Sequence, residues 1–368
     1  MRLTGLSLVA ALLASASFAR DEREAGTAAL LEGRVRDGEP GLAALVRQDG
    51  KTVFARGYGV RDLRSRARID PATRFRLASV TKPFTAMAVM LLVRDGKLGY
   101  DASLTDLFPG FPDYGRAITV RHLLQHTSGL PDYEDLMPAP DASVPVEQAQ
   151  IDDAGVLELL KKQPAGWFAP GALWRYSNSG YVVLGLIVEK VSGRAFPTFL
   201  RDRIFEPLRM TGTTAFVRGR NTVSDRAFGY TKEGGRWRFT DQSPTSATLG
   251  DGGVYSSLYN LSLWDEALRR HTLLGETEMA AALTPVRVPG KGPVGPDGKP
   301  ADYGFGWFLN PWEGRSRMWH YGETSGFRTS IQRFTADGLT VIVLCNRADI
   351  DASALALKIS GFFFAGGK

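Results

Sequence analysis

Three short patterns in the chain place side chains where nucleophilic chemistry could occur. Ser79-Val80-Thr81-Lys82 stands in front of an apolar helical run, Tyr176-Ser177-Asn178 precedes another, and His320-Tyr321-Gly322 ends a strand-like run. Serine and lysine at i and i+3 share one face of a helix. A serine in the first turn lies beside exposed backbone amides that favour developing negative charge. A lysine next to it, kept neutral by desolvation or by a cationic neighbour, can accept the hydroxyl proton. With 22 serines and 11 lysines in the chain, chance supplies about 0.7 Ser-x-x-Lys matches, so that pattern alone carries no weight. Chance gives about 0.15 Tyr-x-Asn and roughly 0.5 His-x-Gly matches, and all three in this order falls below about one in a hundred. The combination describes an activated serine nucleophile.

The elements that must hold these residues follow from periodicity. Gly41–Arg47 and Thr52–Tyr58 flank Asp49-Gly50, and Arg328–Phe334 and Leu339–Cys345 flank Asp337-Gly338, two hairpin signals at opposite ends of the chain. Tyr303–Leu309 and Arg317–His320 are further strand candidates. Between the hairpins the pattern is helical: 80–94, 120–125 after Thr119, 153–162 after Asp152, 179–192 after Asn178, and 258–269, with one more helix at 21–36. This predicts an α+β fold: one antiparallel sheet built from both chain ends (about 20–78 and 300–368) with a mostly helical region (about 79–299) inserted. Two proline-rich stretches, 131–150 and 285–300, read as loops, and so does the arginine cluster from Arg61 to Arg76, which Asp62 and Asp70 interrupt.

Composition narrows the function classes. The chain has 368 residues, 43% of them hydrophobic, enough for a sizeable core, and 45 Lys plus Arg against 39 Asp plus Glu leave a charge of +6, too small an excess to mark a nucleic-acid binder. The single cysteine, Cys345, allows no intrachain disulfide and no Cys-based zinc cluster, and its apolar surroundings predict a buried hydrophobe. Arg2 followed by an apolar stretch and small residues predicts a cleavable secretory leader over residues 1–19, cut after Ala19 or, less favourably, after Ala16. No cysteine lies at that site to carry a lipid, and no later apolar run reaches the ~20 residues of a spanning helix. The expectation is a secreted or periplasmic protein.

On its three patterns the sequence resembles the serine β-lactamase and penicillin-binding superfamily, whose boxes are Ser-x-x-Lys, Ser- or Tyr-x-Asn and a Lys- or His-x-Gly strand. It looks most like the class C β-lactamase-related branch, and supporting stretches are Phe75-Arg76-Leu77-Ala78, the run Leu123 to Leu130, and Gly252-Gly253. The resemblance implies a β-lactamase/transpeptidase-like fold with Ser79 as the acylated nucleophile, Lys82 as its basic neighbour, and Tyr176 as general base and later proton donor. Asn178 would hydrogen-bond substrate and Lys82. His320 would approach Tyr176 and bias its protonation, and Gly322 would let substrate backbone come close. The backbone amides of Ser79 and Glu323 would form the oxyanion hole, whose loss typically costs ~3 kcal/mol of barrier.

The departures from the family pattern bear on substrate. Members that take β-lactams or trim peptidoglycan meet a substrate carboxylate with hydroxyl residues around the third-box glycine, where this chain has Tyr321 and Glu323. A carboxylate there repels an anion and tolerates a cationic or neutral group. The sequence therefore predicts a peptidase (D-amino-acid or carboxypeptidase type) or esterase, acting on a small molecule or peptide without a cofactor. A true β-lactamase and a non-catalytic penicillin- or peptide-binding sensor are the alternatives. Gly-x-Ser-x-Gly, the nucleophile elbow of another serine hydrolase class, is absent. His122 and His126, four apart, lack the Glu of a zinc-protease motif and read as packing in the family's helix-ending segment, so no metal is expected. His271 reads as a surface group at a helix end, and Trp307, Trp312, Trp319 and Phe327 as core or pocket lining.

Overall fold

Asp49 and Gly50 both adopt left-handed backbone, with φ of 51° and 77°, which matches a two-residue turn to the twist of its strands. They join β1 (Leu42–Gln48) to β2 (Lys51–Tyr58). The far end of the chain supplies β3 (Met318–Thr324), β4 (Phe327–Phe334) and β5 (Leu339–Cys345). In the computed structural model, which describes residues 22–139, 141 and 143–364, the five strands form one antiparallel sheet in the order β2-β1-β5-β4-β3. The chain ends meet in the middle, Leu42 opposite Cys345, and β3 is left at an edge. The expected leader lies outside the described residues.

Four helices cover the sheet or face its edge: α1 (22–32), α2 (Lys82–Arg94), α3 (Asn178–Ser192) and α4 (Ala352–Phe363). Alternation along β1 assigns the two layers. Leu42, Ala44 and Val46 pack with Leu31 of α1 and Leu355 and Ile359 of α4. Ala43 and Leu45 face the larger core around α2 and α3. Residues 82–92 of α2 are all buried, as expected of a helix enclosed on every side. Phe84 anchors it, 4.5 Å from the Trp264 ring and 5.6 Å from Phe205; truncating such a side chain to alanine typically costs ~3–5 kcal/mol.

Caps decide where the helices begin. The side chains of Thr119, Asp152 and Ser257 cap Val120–Leu124, Asp153–Lys161 and Leu258–Arg269. Before α3 the cap is Ser177, which accepts from the Gly180 amide, so Asn178 is the first helical residue rather than the cap the sequence suggested. This shift frees the Asn178 side chain for other partners. The α3 helix ends at Gly193, left-handed with φ 68°.

Several expectations are corrected. Tyr303–Leu309 makes only isolated bridges, because a Cβ on Gly304 would lie 1.9 Å from the Ala282 carbonyl and one on Gly306 2.9 Å from that of Lys82; the segment threads between helices instead of extending a sheet. The first helix stops at residue 32, and α4, Asp351-capped, was not anticipated. Arg76 is not solvated: it lies in the short strand Phe75–Arg76, 3% exposed. The 131–150 stretch carries a helical turn, Tyr133–Leu136, capped by Asp132.

Candidate active site

Ser79 sits in a 3-10 turn, Ala78–Thr81, that feeds directly into α2. Ala78 before it has φ 48°, a left-handed conformation that a non-glycine residue adopts at an energetic cost and that marks functional turns. Lys82, one helical turn on, is fully buried. Its ammonium has three protons and three acceptors: Ser79 Oγ at 3.0 Å, Asn178 Oδ1 at 2.8 Å and the Asp251 carbonyl at 3.1 Å. Burial lowers its pKa to about 8, against the opposing pull of Asp251, Asp132 and Glu134. A lysine so placed sheds its proton near neutral pH and then has Ser79 Oγ–H as a donor within hydrogen-bonding distance.

Asn178 is held at three points: its backbone N–H donates to Asp132 Oδ2 (2.7 Å), its Nδ2 to Glu134 Oε1 (3.1 Å), and its Oδ1 accepts from Lys82. The Tyr133 hydroxyl, from the same turn, donates to Asp251 Oδ2 at 3.1 Å. Glu134 stands at the exposed rim, yet burial on its pocket side, together with Asp132 and Asp251, raises its pKa to about 7. Burial also raises Asp132. Lys82 is thus set among carboxyl groups on the α3 side of the site.

The other side is aromatic. The Tyr176 ring lies 4.8 Å from Lys82 Nζ, and its buried hydroxyl has no hydrogen-bond partner of good geometry. Burial raises its pKa, opposed by the nearby Ser79 hydroxyl, so the phenol holds its proton. Of the two expected bases, the electrostatics favour Lys82. His320 does not hydrogen-bond Tyr176: the ring centroids are 6.3 Å apart, and its Nε2 instead meets the Tyr303 hydroxyl at 3.4 Å. Complete burial, and then Lys82, push its pKa down to about 3, so it is neutral and exerts no charge on Tyr176.

β3 seals the turn. A Cβ on Gly322 would come within 2.2 Å of the Leu77 carbonyl, 2.4 Å of Thr329 Oγ1 and 3.1 Å of the Ser79 amide nitrogen. Only glycine allows this approach. It brings the Ser79 amide to β3 one residue from Glu323, whose side chain is 59% exposed and 3.9 Å from Arg328. A cavity of about 230 Å3 opens here, lined among others by Arg76, Ser79, Glu134, Asn178, Asp251 and Glu323.

The structure brings Ser79, Lys82, Tyr176, Asn178 and Gly322 together, with Glu323 at the pocket wall and His320 behind Tyr176. Sequence reasoning missed Asp132, Glu134 and Asp251; the last adjoins the Gly252-Gly253 pair, the one hint available. His126 packs as expected, its buried ring 4.4 Å from that of Tyr176, and in addition it bonds to Tyr303. His122 does serve its helix end, its Nδ1 accepting from the Thr119 amide. His271 lies near Glu276 at 3.8 Å, away from the site. Among the described residues no group of three or more His, Cys, Asp or Glu is arranged to hold a metal ion, and no helix is long and apolar enough to cross a membrane.

The sequence profile described as Beta-lactamase matches residues 20–360. Penicillin-binding protein 4* of Bacillus subtilis is 32% identical over 320 residues, covering 83% of this chain and 68% of that protein. A D-aminopeptidase of Cereibacter sphaeroides is 31% identical over 326 residues, covering 87% of this chain and 59% of its own length, so this chain spans less than two thirds of that relative. Among solved structures, the octameric penicillin-binding protein homologue from Pyrococcus abyssi superposes with a TM-score of 0.75 at 27% identity, over 96% of this chain and 76% of that one.

Proposed function

Because the chain belongs to the beta-lactamase family of serine hydrolases, we propose that it is an exported hydrolase that forms an acyl-enzyme on Ser79 and acts on amides or short peptides carrying a free amine near the scissile carbonyl. The observation that carries the first part is Lys82: fully buried, 3.0 Å from Ser79 Oγ, with its pKa brought to about 8. Neutral Lys82 takes the Ser79 proton as Oγ attacks the carbonyl carbon. The carbonyl oxygen becomes an oxyanion beside the Ser79 amide, with the Glu323 amide as the second donor. Collapse breaks the carbonyl–nitrogen bond, and the leaving amine receives a proton from Tyr176, which is replenished from Lys82. Water then adds to the ester, its proton passing back the same way, and Ser79 is released.

The charge around the pocket supports the substrate class. Three carboxyl groups, Glu134, Asp251 and Glu323, line it against one guanidinium, Arg76, a balance that suits an ammonium better than the carboxylate that β-lactams and peptidoglycan termini present. The D-aminopeptidase relative, whose name denotes release of an amino-terminal residue, is in keeping with this reading. Export rests on the leader pattern of residues 1–19.

The test pairs labelling with turnover. Intact-mass analysis should show one fluorophosphonate adduct, absent in Ser79→Ala, and hydrolysis of D-alanine p-nitroanilide should exceed that of its N-acetyl form. On the N-acetyl anilide, which has no titrating amine, the rate should rise with pH and level off above about 8, as Lys82 loses its proton. A Ser79→Ala protein that still takes up the label would remove Ser79 from the mechanism, and equal rates on the two anilides would remove the amine-binding assignment.

A further inference from the structure

Behind Tyr176 runs a buried chain of four hydrogen bonds whose ends are both backbone groups. The Ser177 N–H donates to His126 Nδ1 at 3.1 Å, so that nitrogen carries no proton. His126 Nε2 is then the N–H and faces the Tyr303 oxygen at 3.0 Å. The Tyr303 O–H is left to donate, and His320 Nε2 lies 3.4 Å away. His320 Nδ1 lies 2.6 Å from the Tyr321 carbonyl, which can only accept. A backbone donor at one end and a backbone acceptor at the other leave one direction for the whole chain, and in that direction both imidazoles are neutral.

We propose that His126 and Tyr303 are positioning residues, which lock His320 in its neutral Nδ1–H tautomer and thereby tie the Tyr176–Asn178 segment to β3 without placing charge beside the Tyr176 phenol. The chain links the two boxes at fixed points: Ser177 lies between Tyr176 and Asn178, and Tyr321 between His320 and Gly322. His126 also packs its ring against Tyr176 at 4.4 Å, against Tyr181 at 5.0 Å and against Trp174 at 5.8 Å. Burial and the Lys82 charge disfavour a proton on either imidazole. The titratable groups facing the pair are Lys82, Tyr176, Tyr181, Tyr303 and Tyr321. The Tyr181 hydroxyl donates to the Leu124 carbonyl at 2.9 Å and keeps lone pairs that could accept, but the hydrogen bonds of the Tyr303 hydroxyl are those with His126 Nε2 and His320 Nε2. A proton on His126 or His320 would make the Tyr176 phenol more acidic; excluding it keeps Tyr176 a proton donor to the leaving group.

The kinetic consequences rest on the acyl-enzyme reading above, whereas the tautomer can be read without any activity. Nitrogen-15 spectra of the imidazoles in the intact protein should show His320 with its proton on Nδ1 and His126 with its proton on Nε2, neither titrating between about pH 5 and 8. Either ring in the opposite tautomer, or titrating in that range, would overturn the proposal whatever the enzyme hydrolyses. Tyr303→Phe removes both central bonds while keeping the ring. Its kcat on the anilide should fall about tenfold with KM within about twofold, and the His320 Nε2 nitrogen-15 resonance should shift as that nitrogen loses its donor. Wild-type kcat and an unchanged Nε2 resonance in that variant would also overturn it. If the wild-type protein hydrolysed no ester or anilide, the acyl-enzyme reading would fail while the spectra still decided the tautomers.

Discussion

The two walls of the site are built on opposite electrostatic plans. On the α3 wall, Lys82, Asp132, Glu134 and Asp251 surround Asn178, and two of these groups have pKa values near neutrality, about 8 for Lys82 and about 7 for Glu134. On the β3 wall, His126, Tyr303 and His320 are buried and Tyr176 half-buried with its hydroxyl enclosed, and burial holds each in its neutral form. The difference lies in the partners. Lys82 and the acidic groups facing it partly offset one another's desolvation, so Lys82 and Glu134 titrate near neutrality, whereas two histidines facing a lysine have no anion to stabilise a proton. Proton transfer that responds to pH therefore belongs to the α3 wall. The β3 wall supplies geometry and a phenol that keeps its hydrogen.

The largest effect expected from breaking this arrangement is at Lys82. Replacing it with alanine leaves Asn178 Oδ1 and the Asp251 carbonyl without their donor and Ser79 without its base, and kcat/KM on the anilide should drop roughly a thousandfold. Retention of a tenth of the activity would move the base to the other wall. Gly322→Ala attacks the seam between the walls. The added carbon has no room beside Leu77 and Ser79, so β3 must move, and a shift of that order should reduce kcat about a hundredfold. Wild-type kinetics there would mean that β3 does not set the position of Ser79.

Glu134→Gln should act more gently and in two directions. Its carboxyl is raised from 4.5 to about 7 in the folded chain, so between those values the folded state keeps a proton that the unfolded state has released. That contribution to stability is complete at low pH and is lost as pH rises through 7. The glutamine variant should therefore gain in melting temperature at pH 8 relative to wild type, while KM for the free-amine substrate rises roughly tenfold. A melting temperature that falls at pH 8 would contradict the charge balance of the α3 wall. The smallest change should follow Asp351→Ala, which removes the cap that accepts from the Ala354 amide at the start of α4. It should cost about 1 kcal/mol in denaturant unfolding and leave kcat/KM unchanged, separating stability from the site. A matching loss of activity would show that the effects at the walls are not local.

The nucleophile and its neighbours were legible because their spacing is local or their residue types are rare in combination. Ser79 and Lys82 are brought together by one helical turn, and the hairpins around Asp49-Gly50 and Asp337-Gly338 fix most of the sheet. The acidic wall was not legible. Asp132 and Glu134 lie in a proline-rich stretch with no periodicity, about 45 positions before the asparagine they hold, and nothing in a linear pattern couples loop residues to a distant helix start. His126 was read as packing because a buried histidine and a hydrogen-bonded positioning histidine share the same apolar sequence surroundings; what separates them is Tyr303, 177 positions away.

By itself, then, the sequence determined the pairing of serine with lysine, the α+β order of elements and the absence of disulfide support, all consequences of short-range geometry and composition. Only the tertiary structure decided which groups carry charge. Charge in a buried site depends on desolvation and on which charges face each group, three acidic side chains for Lys82 and a lysine with no anion for His320, and that arrangement is set by the packing of segments far apart in the chain.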